Sequence, residues 1–269
     1  MIKDLSIGRY YRGDSVLHSL DPRVKVILFV VYMVSVFLLT KPIGLLFSFA
    51  VATTLALLSK IPFREIIKSV RPIVFLMIFI FVINLFTIQE GEELFRFWVI
   101  VITSGGILRA CLMSFRLFLL IVSTGILLTL TTTPLKMSDA LESLFGPLKK
   151  IRVPVHEMAM MMSIALRFIP TLVEETDKIM KAQASRGAEY DTGNIIVRAK
   201  GYVSVLVPLF VSSFKRAEEL AVAMDARCYR GGEGRTKLHP LKMRISDYVW
   251  FFVLLILAFI PVLAEWIFR

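Results

Sequence analysis

Apolar residues in this chain do not alternate with polar ones; over much of its length they run without interruption. "VKVILFVVYMVSVFLLT" and "DYVWFFVLLILAFIPVLAEWIF" are far longer than the buried stripe of a soluble helix. The pattern predicts membrane spans at about residues 26–40, 43–59, 73–88 and 107–132, and a final one within 246–269. Backbone polar groups have no water to bond in hydrocarbon, so these spans must be helical. The predicted fold is all-α: a polytopic membrane protein of about five transmembrane helices.

Between residues 134 and 245 the pattern changes, with 18 Lys and Arg set against 12 acids up to Ser246, so apolar and charged positions share the same segments. Two stretches here are apolar enough to tempt a span assignment. "YVSVLVPLFVSSF" has 13 residues between charged flanks, too few to cross. "VHEMAMMMSIALRFIPTLV" carries His156, Glu157 and Arg167, each costly at the bilayer centre. Both read as long amphipathic helices along or under the membrane. With a shorter helix near 138–150, they make a cytoplasmic domain of three helices.

Charge then sets the orientation. The formal net charge is +11, and the cations flank apolar spans. That is the asymmetry of positive-inside topology, and without a basic stripe interleaved with aromatics it excludes nucleic acid. The amino-terminal 25 residues and "KIPFREIIKSVRP" are placed in the cytoplasm and the acidic "QEGEELFRF" outside, so five spans leave the carboxyl end outside. The first apolar run begins too late and lacks a small-residue cleavage site, so it is not a removable signal. The first two spans are short for a core of about 30 Å, which calls for bilayer thinning or snorkelling by Lys25 and Lys41.

Hydrophobic residues make up 57% of the chain, too many for a soluble enzyme of this length. His18, His156 and His239 lie far apart without thiol or carboxylate at ligand spacing, so no metal or other cofactor is expected. "GGEGRTK" lacks the Gly-Lys-Ser/Thr ending and the preceding strand of a phosphate loop, and no nucleophile elbow is present. A catalytic role is therefore not expected. Cys111 lies in an apolar span and Cys228 in a polar segment, which predicts two free thiols. Arg109 and Arg116 stand seven residues apart in the fourth span. The first should snorkel outward, and the second should pair with a carboxylate or backbone carbonyls.

The most informative feature occurs twice. Pro170 is followed by Glu174–Glu175 and the ending "AQASRG"; Pro208 is followed by Glu218–Glu219 and the ending "AMDARC". Each proline removes a helical hydrogen bond and is expected to kink its helix. Gly187 is placed to end the first helix in the left-handed conformation, and Gly231–Gly232 the second. One arginine near a helix end merely complements the macrodipole. Two such ends, each ringed by small residues, predict plugs for two sockets.

At this point the chain resembles the transmembrane (T) components of energy-coupling factor transporters, importers of vitamins and metals related to ATP-binding-cassette systems. The resemblance runs through "YRGDSVLHSLDPRVK", "TTTPLKMSDALESLFGPLKKI", "IALRFIPTLVEE", "AQASRG", "VPLFVSSFKRAEELAVAMDARCYRGG" and "RTKLHPLKMRISD". It implies that Ser185-Arg186-Gly187 and Ala226-Arg227-Cys228 cap coupling helices that dock into two ATP-binding-cassette ATPase subunits. Ser185 and Cys228 replace the usual Ala and Gly. It also implies a membrane S subunit, interchangeable among several. Met158, Met160, Met161 and Met162 suit such a surface, because methionine adapts to different partners. ATP hydrolysis would come from the partners, in the cell membrane of a prokaryote. A self-sufficient secondary carrier would place ionisable groups at midplane or show inverted repeats, and a plain scaffold would need no paired tips.

Overall fold

Proline starts two of the first long helices, and charges brought from distant helices close their ends. In the computed structural model, the described residues are 10–88, 90–97, 100–188, 190, 194–232 and 241–267. The amino-terminal nine residues, positions 233–237 of the glycine-rich stretch and His239 lie outside them. After a short turn, α1 (Val16–Ser19), Pro22 opens α2 (Pro22–Leu38) at its first position. Pro42 does the same for α3 (Pro42–Ser59). Proline fits there because its missing N–H would be unpaired anyway. Asp21 caps α2 by accepting from the Arg23 N–H at 2.8 Å.

The chain continues through α4 (Phe63–Val70), a 3-10 turn (Arg71–Ile73) and α5 (Val74–Thr87). What reads in the sequence as a basic connector is thus helical, continuous with the span after it. Two antiparallel strands, β1 (Glu93–Phe97) and β2 (Ile100–Thr103), follow as a small hairpin in an otherwise helical chain. Next come α6 (Ser104–Thr124), running into a π-helical segment (Gly125–Leu130), and α7 (Pro134–Leu144). After a 3-10 turn (Gly146–Ile151) the long helices α8 (Val155–Ser185) and α9 (Ile195–Ala226) precede α10 (Ile245–Ile267).

Five helical runs among the described residues are long and apolar enough to cross a membrane: Pro42–Ser59, Phe63–Thr87, Ser104–Leu130, Ile195–Ala226 and Ile245–Ile267. These are not quite the five expected. The α2 helix has 17 residues, about 26 Å at about 1.5 Å per residue. The α9 helix extends beyond its apolar stretch through Arg198, Lys200 and Lys215.

The chain forms two compact units, Gly8–Ser143 with Leu241–Arg269, and Leu144–Pro240. The short α7 helix belongs with the spans. Their core packs α10 against α2 and α3 and centres on Leu28, Tyr32, Val36, Leu119, Ile126 and Leu127. Two buried hydroxyls are paired inside it: Tyr32 bonds Ser48, and Ser35 donates to the Ala258 carbonyl. Where α10 meets α3, a Cβ on Gly44 would lie 2.5 Å from Glu265 Oε2, so any larger residue there would displace the Glu265 carboxylate. Apolar side chains of α5 such as Phe75, Ile78 and Phe79 point outward, as suits a helix whose solvent is lipid.

Three charges finish helix ends in this unit. Glu265 accepts from the backbone N–H groups of Thr40 and Lys41 at the start of α3. Arg116 donates to the Leu39 carbonyl at the end of α2, the kind of partner its depth required. Lys25 is almost wholly buried, so it does not snorkel as the sequence suggested. Its ammonium instead donates to the Thr131 carbonyl at 3.0 Å and to the Thr131 and Thr132 hydroxyls at 3.4 and 3.1 Å, closing the π-helical end. Three donors meet three acceptors, which is the condition for an ammonium to sit inside. Arg109, by contrast, pairs with Glu90 at 2.7 Å, with both side chains about half exposed. Replacing Lys25 by Ala leaves those acceptors unpaired and should lower stability by about 3 kcal/mol, read as a large drop in melting temperature in detergent. Lys181→Ala, which removes an exposed pair with Asp177, should melt within about 1 kcal/mol of the parent.

Candidate docking site: two arginine-tipped helix ends

The α8 and α9 helices lie antiparallel, and their register follows from side chains that meet along their length. Gln183 Nε2 donates to the Ser204 carbonyl at 3.3 Å. Glu175 accepts from the Ser212 hydroxyl and from Arg216 Nη2, the latter at 2.8 Å. Arg216 also stands 5.7 Å above the Phe168 ring. Further on, Gly232 sits against the His156 ring. Low numbers on one helix meet high numbers on the other throughout.

The middle of this hairpin is a polar lock. The Ser212 hydroxyl, and behind it the Arg216 guanidinium, hold the Glu175 carboxyl below the usual carboxylate range. The second acidic pair has no such task, for Glu218 and Glu219 are exposed. The two acid pairs that look equivalent in sequence are therefore not equivalent in space.

Pro170 and Pro208 both lie inside their helices. Pro208 cannot bond the carbonyl four residues earlier, which belongs to Ser204. That is the carbonyl Gln183 takes up, so a residue of the "AQASRG" tip repairs the defect that proline leaves in the partner helix.

The two tips close by the same backbone device. At the end of α8, the N–H of Gly187 donates to the Ala184 carbonyl and that of Ala188 to the Gln183 carbonyl, both at 3.0 Å. At the end of α9, Cys228 donates to Asp225 at 2.9 Å and Tyr229 to Met224 at 3.1 Å. These are the paired bonds of a Schellman motif. The capping arginines share a conformation, Arg186 at φ −94° and Arg227 at φ −93°. The left-handed residue is Gly187 in one tip, at φ +87°, and Cys228 in the other, at φ +57°. The turn expected from Gly231–Gly232 is thus made three residues earlier by a non-glycine. With the last carbonyls satisfied by backbone, neither guanidinium is needed as a cap. Arg186, Ser185, Gly187, Arg227, Ala226 and Cys228 are all exposed, and neither arginine has a side-chain partner among the described residues.

Antiparallel packing sends the tips to opposite ends of the hairpin. Arg186 lies level with about residue 201, and Arg227 is about 26 residues further along α9, or about 40 Å at about 1.5 Å per residue. The Arg227 tip borders a cavity of about 620 Å³ that also takes in Met160, Ser163, Arg167 and Arg230. The methionines therefore separate: Met160 lines that cavity, while Met158, Met161 and Met162 are more than half exposed. The outer face of α9 is apolar too, with Val203, Val207, Phe210 and Phe214 exposed along one side. Both cysteines are free thiols.

Sequence reasoning missed Gln183 and the Glu175–Ser212–Arg216 lock. A side-chain amide near a helix that contains proline was the one available signal. The left-handed position of Cys228 has a measurable consequence, because a Cβ there costs about 1 kcal/mol or more relative to glycine. Cys228→Gly should slow hydrogen exchange at the amides of residues 228 and 229 by about fivefold, and Gly187→Ala should speed it at residues 187 and 188. Unchanged exchange in both variants would contradict the assignment.

The tips, the hairpin and the spans can be set beside known proteins. Residues 13–239 match the family described as cobalt transport protein, CbiQ. The energy-coupling factor transporter transmembrane protein EcfT of Ruminiclostridium cellulolyticum is 48% identical over 268 residues, covering 100% of both chains. The protein of the same name from Clostridium kluyveri is 48% identical over 266 residues, 98% of each chain. That of Bacillus subtilis is 45% identical over 260 residues, 96% of this chain and 97% of its own. Apolar helices and bacterial relatives together describe a multi-pass prokaryotic membrane protein. With a family match over most of its length and full-length relatives near half identity, the chain belongs to the CbiQ family, among the transmembrane components of energy-coupling factor transporters.

Proposed function

We propose that this chain is the coupling subunit of an energy-coupling factor importer. It receives ATP-driven motion from two cytoplasmic ATPase subunits and passes it to a membrane S subunit that carries a vitamin or other micronutrient. The observation that carries the reading is the pair of tips: two helix ends closed by the same backbone bonds, each with an arginine that has no side-chain partner among the described residues, at opposite ends of one hairpin. A planar guanidinium on a rigid support suits bidentate docking to a carboxylate or to carbonyls. Separation by about 40 Å keeps two sockets from competing for one surface.

In this mechanism the chain does no chemistry. The ATPases hydrolyse ATP, and their approach and separation displace the Arg186 and Arg227 tips. Antiparallel packing, the Glu175–Arg216 pair and the Gln183 bond to Ser204 make α8 and α9 move as one lever rather than two loose rods. The S subunit covers exposed apolar surface, with Met158, Met161 and Met162 as adaptable contacts and Met160 turned to the Arg227 cavity. The amino terminus lies in the cytoplasm, and Lys149, Lys150 and Arg152 lie on that same side.

Changing both arginines tests this. Arg186→Ala with Arg227→Ala should leave the chain inserted in the membrane while abolishing uptake and capture of the ATPases. Loss of one fully desolvated charged anchor typically costs about 2–5 kcal/mol of binding, so two should remove detectable association. Normal uptake by the double variant would end the proposal.

A further inference from the structure

The chain passes out of the membrane unit after Ser143 and back into it at Leu241. One side chain touches both. Arg23, near the start of α2, donates from Nη1 to the Ser143 hydroxyl at 3.2 Å and from Nη2 to the Leu241 carbonyl at 2.5 Å. Its Nε donates to Asp21 Oδ1 at 3.2 Å, which aims the guanidinium.

The surroundings are built around this contact. The Asp21 N–H donates to Asp247 Oδ1 at 3.4 Å, and Asp247 Oδ2 accepts from the Arg244 N–H at 2.7 Å, closing the first turn of α10. Asp21 and Asp247 are both buried. Two residues further, Lys25 closes the π-helical segment that continues α6. The stretch "DPRVK" thus gathers the end of that segment, the last turn of α7 and the start of α10 at one place.

We infer that Arg23 is a positioning residue for energy coupling: its guanidinium staples the outgoing and returning segments together, so that the two move as one. Only arginine suits the task. Its planar fork reaches two acceptors at once while a third donor holds it, whereas lysine offers one compact centre. Without the staple the two segments yield separately, and motion of the tips is absorbed between them. This inference rests on the coupling function proposed above.

The test uses the complex of this chain with its two ATPases and an S subunit, reconstituted in liposomes. Arg23→Gln should assemble the complex and hydrolyse ATP as the parent does, yet lose uptake by about tenfold or more, within the range of typical coupling energies. A pair of cysteines at Ser143 and Leu241, joined by a short bifunctional thiol reagent in the assembled complex, should restore uptake to Arg23→Gln. The same treatment of Arg23→Gln with only Cys111 and Cys228 should not. Parental uptake by Arg23→Gln, or a formed cross-link that restores nothing, would overturn the inference. So would failure of both Arg23→Gln and Arg23→Lys to assemble, since the guanidinium would then serve folding alone. If the parent chain itself captures no ATPases, the coupling function fails instead, which separates the two outcomes.

Discussion

An α-helix ends with backbone groups that have no partner within the helix, and away from water such groups must be paired. Nearly every specific feature of this protein answers that requirement. In the membrane unit the partners are charges lent by other helices. Lys25 closes the π-helical segment that continues α6, Arg116 the end of α2, and Glu265 the start of α3. Each bond joins segments distant in sequence, so satisfying helix ends also determines which helices are neighbours. The hydrophobic effect cannot supply that choice, because lipid is as apolar as any helix face.

The hairpin of α8 and α9 meets the same requirement differently. Its tips turn back on themselves, so Gly187, Ala188, Cys228 and Tyr229 satisfy the last carbonyls with their own N–H groups. The arginines at the caps are released from structural work. This contrast explains how a cation at a helix end can be scaffold in one place and free surface in another. Lys25 and Arg116 close helix ends, whereas Arg186 and Arg227 have no side-chain partner among the described residues.

Much of the fold was legible because apolarity over a long run is a local property. The helices α2, α3, α5, α6 and α10 fall within a few residues of the apolar runs that announce them, and Pro22 and Pro42 mark the starts of α2 and α3. The repeated tips were legible as well, since small residues around an arginine recur in plain view. What escaped depends on partners far along the chain. Lys25 at the edge of an apolar run looks the same whether it turns out to headgroups or in toward Thr131. Cys228 gives no hint of a left-handed turn, while Gly231 nearby offers a false one. The Glu175 lock and the Gln183 bond require knowing that α8 and α9 are antiparallel, which no single stretch reveals.

The account stands or falls on the independence of two docking tips at opposite ends of one hairpin. The most direct measurement is the native mass of the solubilised complex carrying one arginine change at a time. Arg186→Ala and Arg227→Ala should each shift the assembly toward a species that has lost one ATPase subunit and kept the other. An assembly that keeps both subunits in each single variant would contradict the claim.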